Sequence, residues 1–398
     1  MTFPKTTLLL IPALFLLLAL SFFSREVSLS SHAEAIFQKC FSQGDAQTCY
    51  DKEIPKLTDF ISMEEAFQVI RMVQAQDPSY RYCHVVGHAL SAKEYQKNPE
   101  NWKDIIPRCP YAVCANGCQH GVVQEIFRNK ISEFLNDAEL EKLKAEFGNV
   151  CEEKPNWRPS SFQQGHCYHG LGHLAMYVAN ADIPKSLGVC DAISLKEDGR
   201  DFRSVCYGGL FMQMFQPLEP EDFALVEGKA LAKEDAKEFC GNIPGTNLRK
   251  EACWLQAWPL FGEELTTAEG IIGFCEEGKS FARLERCYTQ LFHILAQGRN
   301  YEIIPLKELC VTFPDELKAE CVRNVASAII DGGTDFINLA VDFCHLAKEG
   351  DLQEACYKAM VDFSVIKFNP GTENFLKLCN ALPPPWDKKC IERAKGYK

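Results

Sequence analysis

The sequence contains no Cys-x-x-Cys pair, no Cys-x-x-Cys-His, no His-Glu-x-x-His, no Gly-x-Ser-x-Gly and no Walker-type phosphate loop. Those absences set aside paired-cysteine metal clusters, covalent haem, the commonest zinc-protease helix, the serine nucleophile elbow and a nucleotide cradle. No Asn-x-Ser/Thr sequon occurs, so the chain offers no N-linked glycan site. Basic excess is also missing. With Lys+Arg 42 against Asp+Glu 54 the net charge is −12, which argues against a nucleic-acid partner and against docking on anionic lipid. Methionine is scarce, at 7 in 398 residues, so composition alone singles out no copper-binding chain.

One long uncharged run exists, residues 6–23, with Lys5 before it and Arg25 after it. Its 18 residues fall between a signal-peptide core and a spanning helix. No clean small-x-small cleavage site follows, which favours an uncleaved signal-anchor over residues 1–25 and a linker over 26–36. The expected location is extracytoplasmic and membrane-anchored, or secreted or periplasmic if the segment is cleaved.

Cysteine is what the chain has in abundance, 20 residues, an even number that in an exported protein points to disulfides. A cysteine nucleophile has no place if all are paired. Spacing suggests Cys40–Cys49, Cys109–Cys118, Cys151–Cys167, Cys190–Cys206, Cys240–Cys253, Cys275–Cys287, Cys310–Cys321, Cys344–Cys356 and Cys379–Cys390, which leaves Cys83 and Cys114 for each other. The second members, with Cys83, recur at gaps of 34, 35, 49, 39, 47, 34, 34, 35 and 34 residues. A period near 34 is that of a helix-turn-helix repeat. Cap-like residues such as Thr266-Thr267, Thr334-Asp335 and Thr372 precede amphipathic stretches, and Gly298 and Gly332-Gly333 close others. The expected fold is therefore all-α, about ten disulfide-stapled hairpins forming one domain over 37–398, with insertions at Lys130–Pro159 and Gln216–Asp235. Pro383-Pro384-Pro385 is read as interrupting the final hairpin and marking a terminal cap.

This layout resembles tetratricopeptide-like and Sel1-like arrays, and above all secreted bacterial proteins that carry a disulfide in each helical hairpin. The resemblance rests on period and cysteine placement over about residues 34–398. It implies a right-handed superhelical solenoid with a concave groove for a protein, peptide or glycan partner. It implies no catalytic residue.

Histidine carries the functional signal. Six of the nine lie within residues 84–173, and the histidine-bearing repeats span about 59–180. His84 and His88 are four apart, as are His169 and His173, a spacing that puts two imidazoles on one helix face. Aligned on the second cysteine, His120 and His169 share one position, and Gln124, His173, Met212 and His293 share another. His120, His169 and His173 should then meet across neighbouring hairpins. His84 and His88 fall one residue early, a rotation of about 100° on a helix. His84, His88, His120, His169 and His173 are the candidate ligands for a transition metal ion, copper, zinc or iron. Glu125 and His120 are the candidate acid/base pair. His166, just before Cys167, is expected in a loop, and His293 and His345 as ordinary buried residues. Gly87, Gly121, Gly170, Gly172, Gly208 and Gly209 lie inside expected helices, where each costs about 1 kcal/mol against alanine; they serve either close helix packing or a ligand. The aromatic column Tyr168, Tyr207, Trp254 and Tyr288 reads as core. Three functions stay open: a histidine metal site within a repeat protein, with metalloenzyme activity; a non-catalytic binding scaffold; and a metal-free His/Glu acid–base enzyme.

Overall fold

The computed structural model describes residues 28–80, 83–110, 113–128, 147–155, 157–217 and 220–396. Residues 1–25, expected as a signal-anchor, and most of the first insertion lie outside them. The described chain is all-helical, with only two isolated β-bridges, Lys154 to Trp157 and Leu195 to Asp201. Among the described residues no helix is long and apolar enough to cross a membrane.

Eight helices carry the interior: α1 His84–Lys97, α2 Gly117–Arg128, α3 Ser161–Val178, α4 Arg203–Phe215, α5 Asn247–Gln256, α6 Leu284–Gly298, α7 Asp315–Asp331 and α8 Leu352–Lys367. Shorter helices precede most of them, such as Ile183–Ser194 before α4 and Ile303–Thr312 before α7. Their starts follow local chemistry. Ser62 and Glu65 form a reciprocal capping box on Met63–Gln76, and Asp182, Thr267 and Thr372 each cap a helix by accepting a backbone N–H.

All 20 cysteines are joined in ten bridges, with none free. Nine close short segments of 9 to 16 residues, and all nine anchor their second cysteine in a helix that follows the first. The tenth, Cys83–Cys114, spans 31 residues and ties the residue before α1 to the segment before α2. Each short bridge removes roughly 2–3 kcal/mol of loop freedom from the unfolded chain. Ten bridges also suit an oxidising, extracytoplasmic environment.

The aromatic column is core. Tyr168, Tyr207, Trp254 and Tyr288 are all buried. Neighbouring segments serve three of their polar ends: Tyr168 Oη donates to Glu152 and Tyr207 Oη to Asp191 in the preceding segments, and Trp254 Nε1 donates to the Phe274 carbonyl of the following helix at 3.2 Å.

Consecutive interior helices pack side by side from α1 to α5, and α6 to α8 do likewise. Between α5 and α6, buried Glu251 binds Arg286 at 3.0 Å. The late helices return to the early ones: α8 packs on α3, Arg71 pairs with Asp335 at 3.0 Å, and Asn369 donates to the Arg158 carbonyl at 2.8 Å. The interior helices line an open cavity of about 1410 Å³, to which His84, His120, His169, Leu255, His293 and Lys367 all contribute.

Glycine sets the closest approaches. A Cβ at Gly172 would lie 2.0 Å from the Cys206 carbonyl oxygen, one at Gly209 1.9 Å from that of His169, and one at Gly121 2.4 Å from the His88 Cα. At Gly188, in helix Ile183–Ser194, an added Cβ meets nothing within 4 Å. Gly172→Ala should therefore destabilise by about 1–3 kcal/mol through overpacking, whereas Gly188→Ala should stabilise by up to about 1 kcal/mol. Denaturant unfolding of the two disulfide-intact variants beside the parent checks both signs.

Candidate metal centre

α3 begins well before Cys167. Ser160 caps it, accepting from the Gln163 N–H while Gln163 answers the Ser160 N–H. The helix thus starts six residues upstream of the cysteine, and His166 lies inside it rather than in a loop. The reciprocal Ser160-x-x-Gln163 box is the sequence signal that marks this start.

α1 and α3 share a register that alignment on cysteine hides. Both read His-x-x-Gly-His: His84 to His88, and His169 to His173. Gly87 packs on Cys118 and Gly172 on Cys206, so each central glycine meets the cysteine of the following helix. The one-residue offset of Cys83 goes with its different partner. Cys83 stands at the cap of α1 and bonds to Cys114, not within its own hairpin. The expected 100° rotation is therefore absent, and His84 and His88 face α2 as His169 and His173 face α4.

The five imidazoles come together. His84 Nε2 is 3.0 Å from His88 Nε2 and 3.4 Å from His120 Nδ1. Ring centroids of His120 lie 5.4 Å from His169 and 5.1 Å from His173, and His169 and His173 are 5.0 Å apart. Two triads have ligand atoms within 4.8 Å of one another, His84/His88/His120 and His120/His169/His173. A tetrahedral ion with bonds of 2.0–2.1 Å holds its nitrogens about 3.3 Å apart, close to the spacing around His84. These buried histidine triads can hold a metal ion.

Hydrogen bonds fix which nitrogen is offered. A carbonyl only accepts, so His84 Nδ1 donates to the Cys114 carbonyl at 3.3 Å and keeps its Nε2 lone pair. His173 Nδ1 pairs with Gln213 Oε1 at 2.8 Å, and its Nε2 is buried with no partner. Such partners on the outer nitrogen orient ligating histidines. His120 turns its Nδ1 to His84, while its Nε2 is also buried without a partner. Gly170 leaves room for that ring: a Cβ there would sit 3.1 Å from His120 Cδ2. Gly170 thus serves the cluster, and Gly121, Gly172 and Gly209 serve helix contact.

Burial disfavours the charged form of three of these rings. It holds His120 and His169 well below the usual imidazole range, helped by repulsion from neighbouring histidines, and brings His173 down to about 4. Neutral imidazoles suit transition metals and not calcium or magnesium, which want oxygen. Met212 Sδ lies 3.3 Å from His169 Nε2, a soft thioether beside one triad.

Glu125 is not part of either triad. It is buried and accepts from Gln96 Nε2 on α1 at 2.8 Å. The cavity brings in residues that sequence reading set aside. His293 Nε2 is 3.3 Å from Asp331 Oδ2, Asp331 Oδ1 takes Lys367 Nζ, and His166 lines the same wall. His345 bonds instead to Tyr357 at 2.8 Å. His293, Asp331 and Lys367 stand on the consecutive helices α6, α7 and α8 but at different positions of the repeat, so no shared column or local motif announces their meeting. No protein-family model matches this chain, and no curated protein or solved structure proved similar to it. The likeness to tetratricopeptide and Sel1-like arrays stays one of period and cysteine placement.

His166 gives a pH prediction that does not involve the ligands. Burial lowers it from 6.5 to about 4, with the Lys367 charge adding to the effect. A depressed pKa means that its contribution is full above pH 6.5 and is lost as pH falls towards 4. Relative to His166→Gln, the metal-free parent should lose about 1.4 kcal/mol of unfolding free energy per pH unit in that window. Paired urea titrations at pH 7.5, 6, 5 and 4.5 read the difference.

Proposed function

We propose that this is an extracytoplasmic metalloprotein whose five-histidine cluster binds two transition-metal ions sharing His120. The observation that carries the reading is that His120 belongs to both triads. Its Nδ1 faces the α1 pair, and its other nitrogen is buried without a partner beside Gly170 of α3. A bridging imidazole must lose both ring protons, so binding releases a proton and tightens as pH rises.

Copper, zinc and iron all accept imidazole, and the Met212 thioether favours copper at the His120/His169/His173 position. Three protein ligands leave a fourth position open to water or substrate. His84, His120 and His169 reach the cavity, so each ion has a route to a bound molecule. This supports metal-assisted catalysis over a purely structural site.

The surrounding reading is of one domain over 37–398, built as a right-handed array of about ten hairpins held at the membrane by residues 1–25. Its concave interior takes the substrate or partner, a protein, peptide or glycan segment. The Cys period and the return of α8 to α3 support this organisation.

Protein folded in an oxidising compartment should carry two equivalents of copper or zinc by elemental analysis. His84→Ala and His169→Ala should each lower that by about one. His120→Ala should leave at most one, while His345→Ala changes nothing. Substoichiometric metal that survives all three cluster substitutions would remove the proposal.

A further inference from the structure

A second group of reactive side chains faces the same cavity from four helices. Lys367 on α8 is 3% exposed and lines the cavity, with its Nζ bonded to Asp331 Oδ1 and 3.6 Å above the Phe162 ring centre. Asp331 on α7 turns its other oxygen to His293 Nε2 on α6, at 3.3 Å. His166 on α3 stands on the same wall. Among the described residues, Asp331, His293 and His166 are the titratable groups that face the lysine from the elements packed around it.

The hydrogen bonds constrain the protons. His293 Nδ1 donates to the Thr289 carbonyl at 2.8 Å, and His166 Nδ1 to the Phe162 carbonyl at 3.0 Å. Each imidazole therefore keeps its Nε2 as the working atom. For His293 Nε2 and Asp331 Oδ2 to attract, one proton has to lie between them. Imidazole, carboxylate and amine can each hold that proton, so the trio is a short relay ending at a primary amine. Apolar groups complete the cavity, among them Phe215, Leu255, Trp258, Ile294 and Ile366. The site so formed is a mostly apolar chamber with a few convergent polar groups.

We infer that Lys367 is the nucleophile of a carbonyl-binding site, taking the aldehyde or ketone of a mainly apolar small molecule as a Schiff base. The amine lone pair adds to the carbonyl carbon, and one proton of the resulting N–H2+ passes through Asp331 and His293 to the carbonyl oxygen, giving the carbinolamine. The hydroxyl then leaves as water, taking the remaining nitrogen proton by the same relay, and the C=N bond of the imine forms. Atoms balance with no oxidant or reductant. Burial supports this role, because it pushes the Lys367 ammonium well below the usual lysine range and so eases transfer of its proton to the bonded Asp331 carboxylate, which leaves the nucleophilic amine. The surface ion-pair alternative does not fit a lysine that is 3% exposed. The inference stands on residues outside both histidine triads and does not depend on a bound metal.

Hexanal with cyanoborohydride, which traps imines and spares disulfides, tests it on the full oxidised chain at pH 7. Peptide mapping should find Lys367 alkylated at least tenfold faster than the exposed lysines. Lys367→Arg keeps a cation on Asp331 but has no primary amine, and it should lose that fast site while circular dichroism stays unchanged. His293→Gln should slow trapping at Lys367 several-fold without moving it to another lysine. Alkylation of Lys367 no faster than the exposed lysines, or a fast site that persists in Lys367→Arg, would overturn the inference.

Discussion

Where Gly172 meets the Cys206 carbonyl and Gly209 meets that of His169, only hydrogen fits between two helix backbones. The same holds at Gly121 against His88. These contacts draw α1 to α2 and α3 to α4 closer than side chains normally permit, and the histidines borne on those helices are crowded as a result. Each glycine forfeits about 1 kcal/mol of helix propensity. That loss is offset by helix packing and by the neighbouring bridges, Cys109–Cys118, Cys151–Cys167 and Cys190–Cys206, which hold the helix ends in register. The cluster is thus a product of backbone geometry first and of histidine content second.

Much of the architecture is written locally. Cysteine spacing marks the hairpins because a bridge of 9 to 16 residues can only join neighbouring segments. Caps such as Thr267 and Thr372 mark helix starts because their side chains satisfy N–H groups that the helix cannot. Cysteine is a poor ruler for the histidine-bearing face, however. Cys83 takes a partner in the next hairpin, so its helix sits one residue out of step with the others. The glycine of His-x-x-Gly-His is the better ruler, since it marks where helices touch. Similarly, Ser160 and Gln163 place the start of α3 and so put His166 on a helix. Lys367, Asp331 and His293 meet because α6, α7 and α8 pack side by side, but they occupy different positions of the repeat, and His166 joins them only because α8 returns to α3, a contact that leaves no periodic trace in the sequence.

The cavity combines two chemistries that rarely share a wall. On one side lie the clustered imidazoles, of which His120, His169 and His173 are kept uncharged by burial and by neighbouring histidines. On the other, a carboxylate sits between an imidazole and an amine. α3 joins them: His166 and His169 are three residues apart, so they stand on neighbouring turns of one helix face. A molecule held in 1410 Å³ of mainly apolar space can touch both. Sequence periodicity hints at the first set through repeated histidines, and gives no hint of the second.

The central claim is that His120 stands between two metal ions. Anomalous diffraction above the copper edge, from crystals of protein loaded with copper, tests it most directly. The account predicts two peaks, one on each side of the His120 ring, the first among His84, His88 and His120 and the second among His120, His169 and His173. No peak within the cluster, or copper bound only at surface sites away from it, would contradict the account.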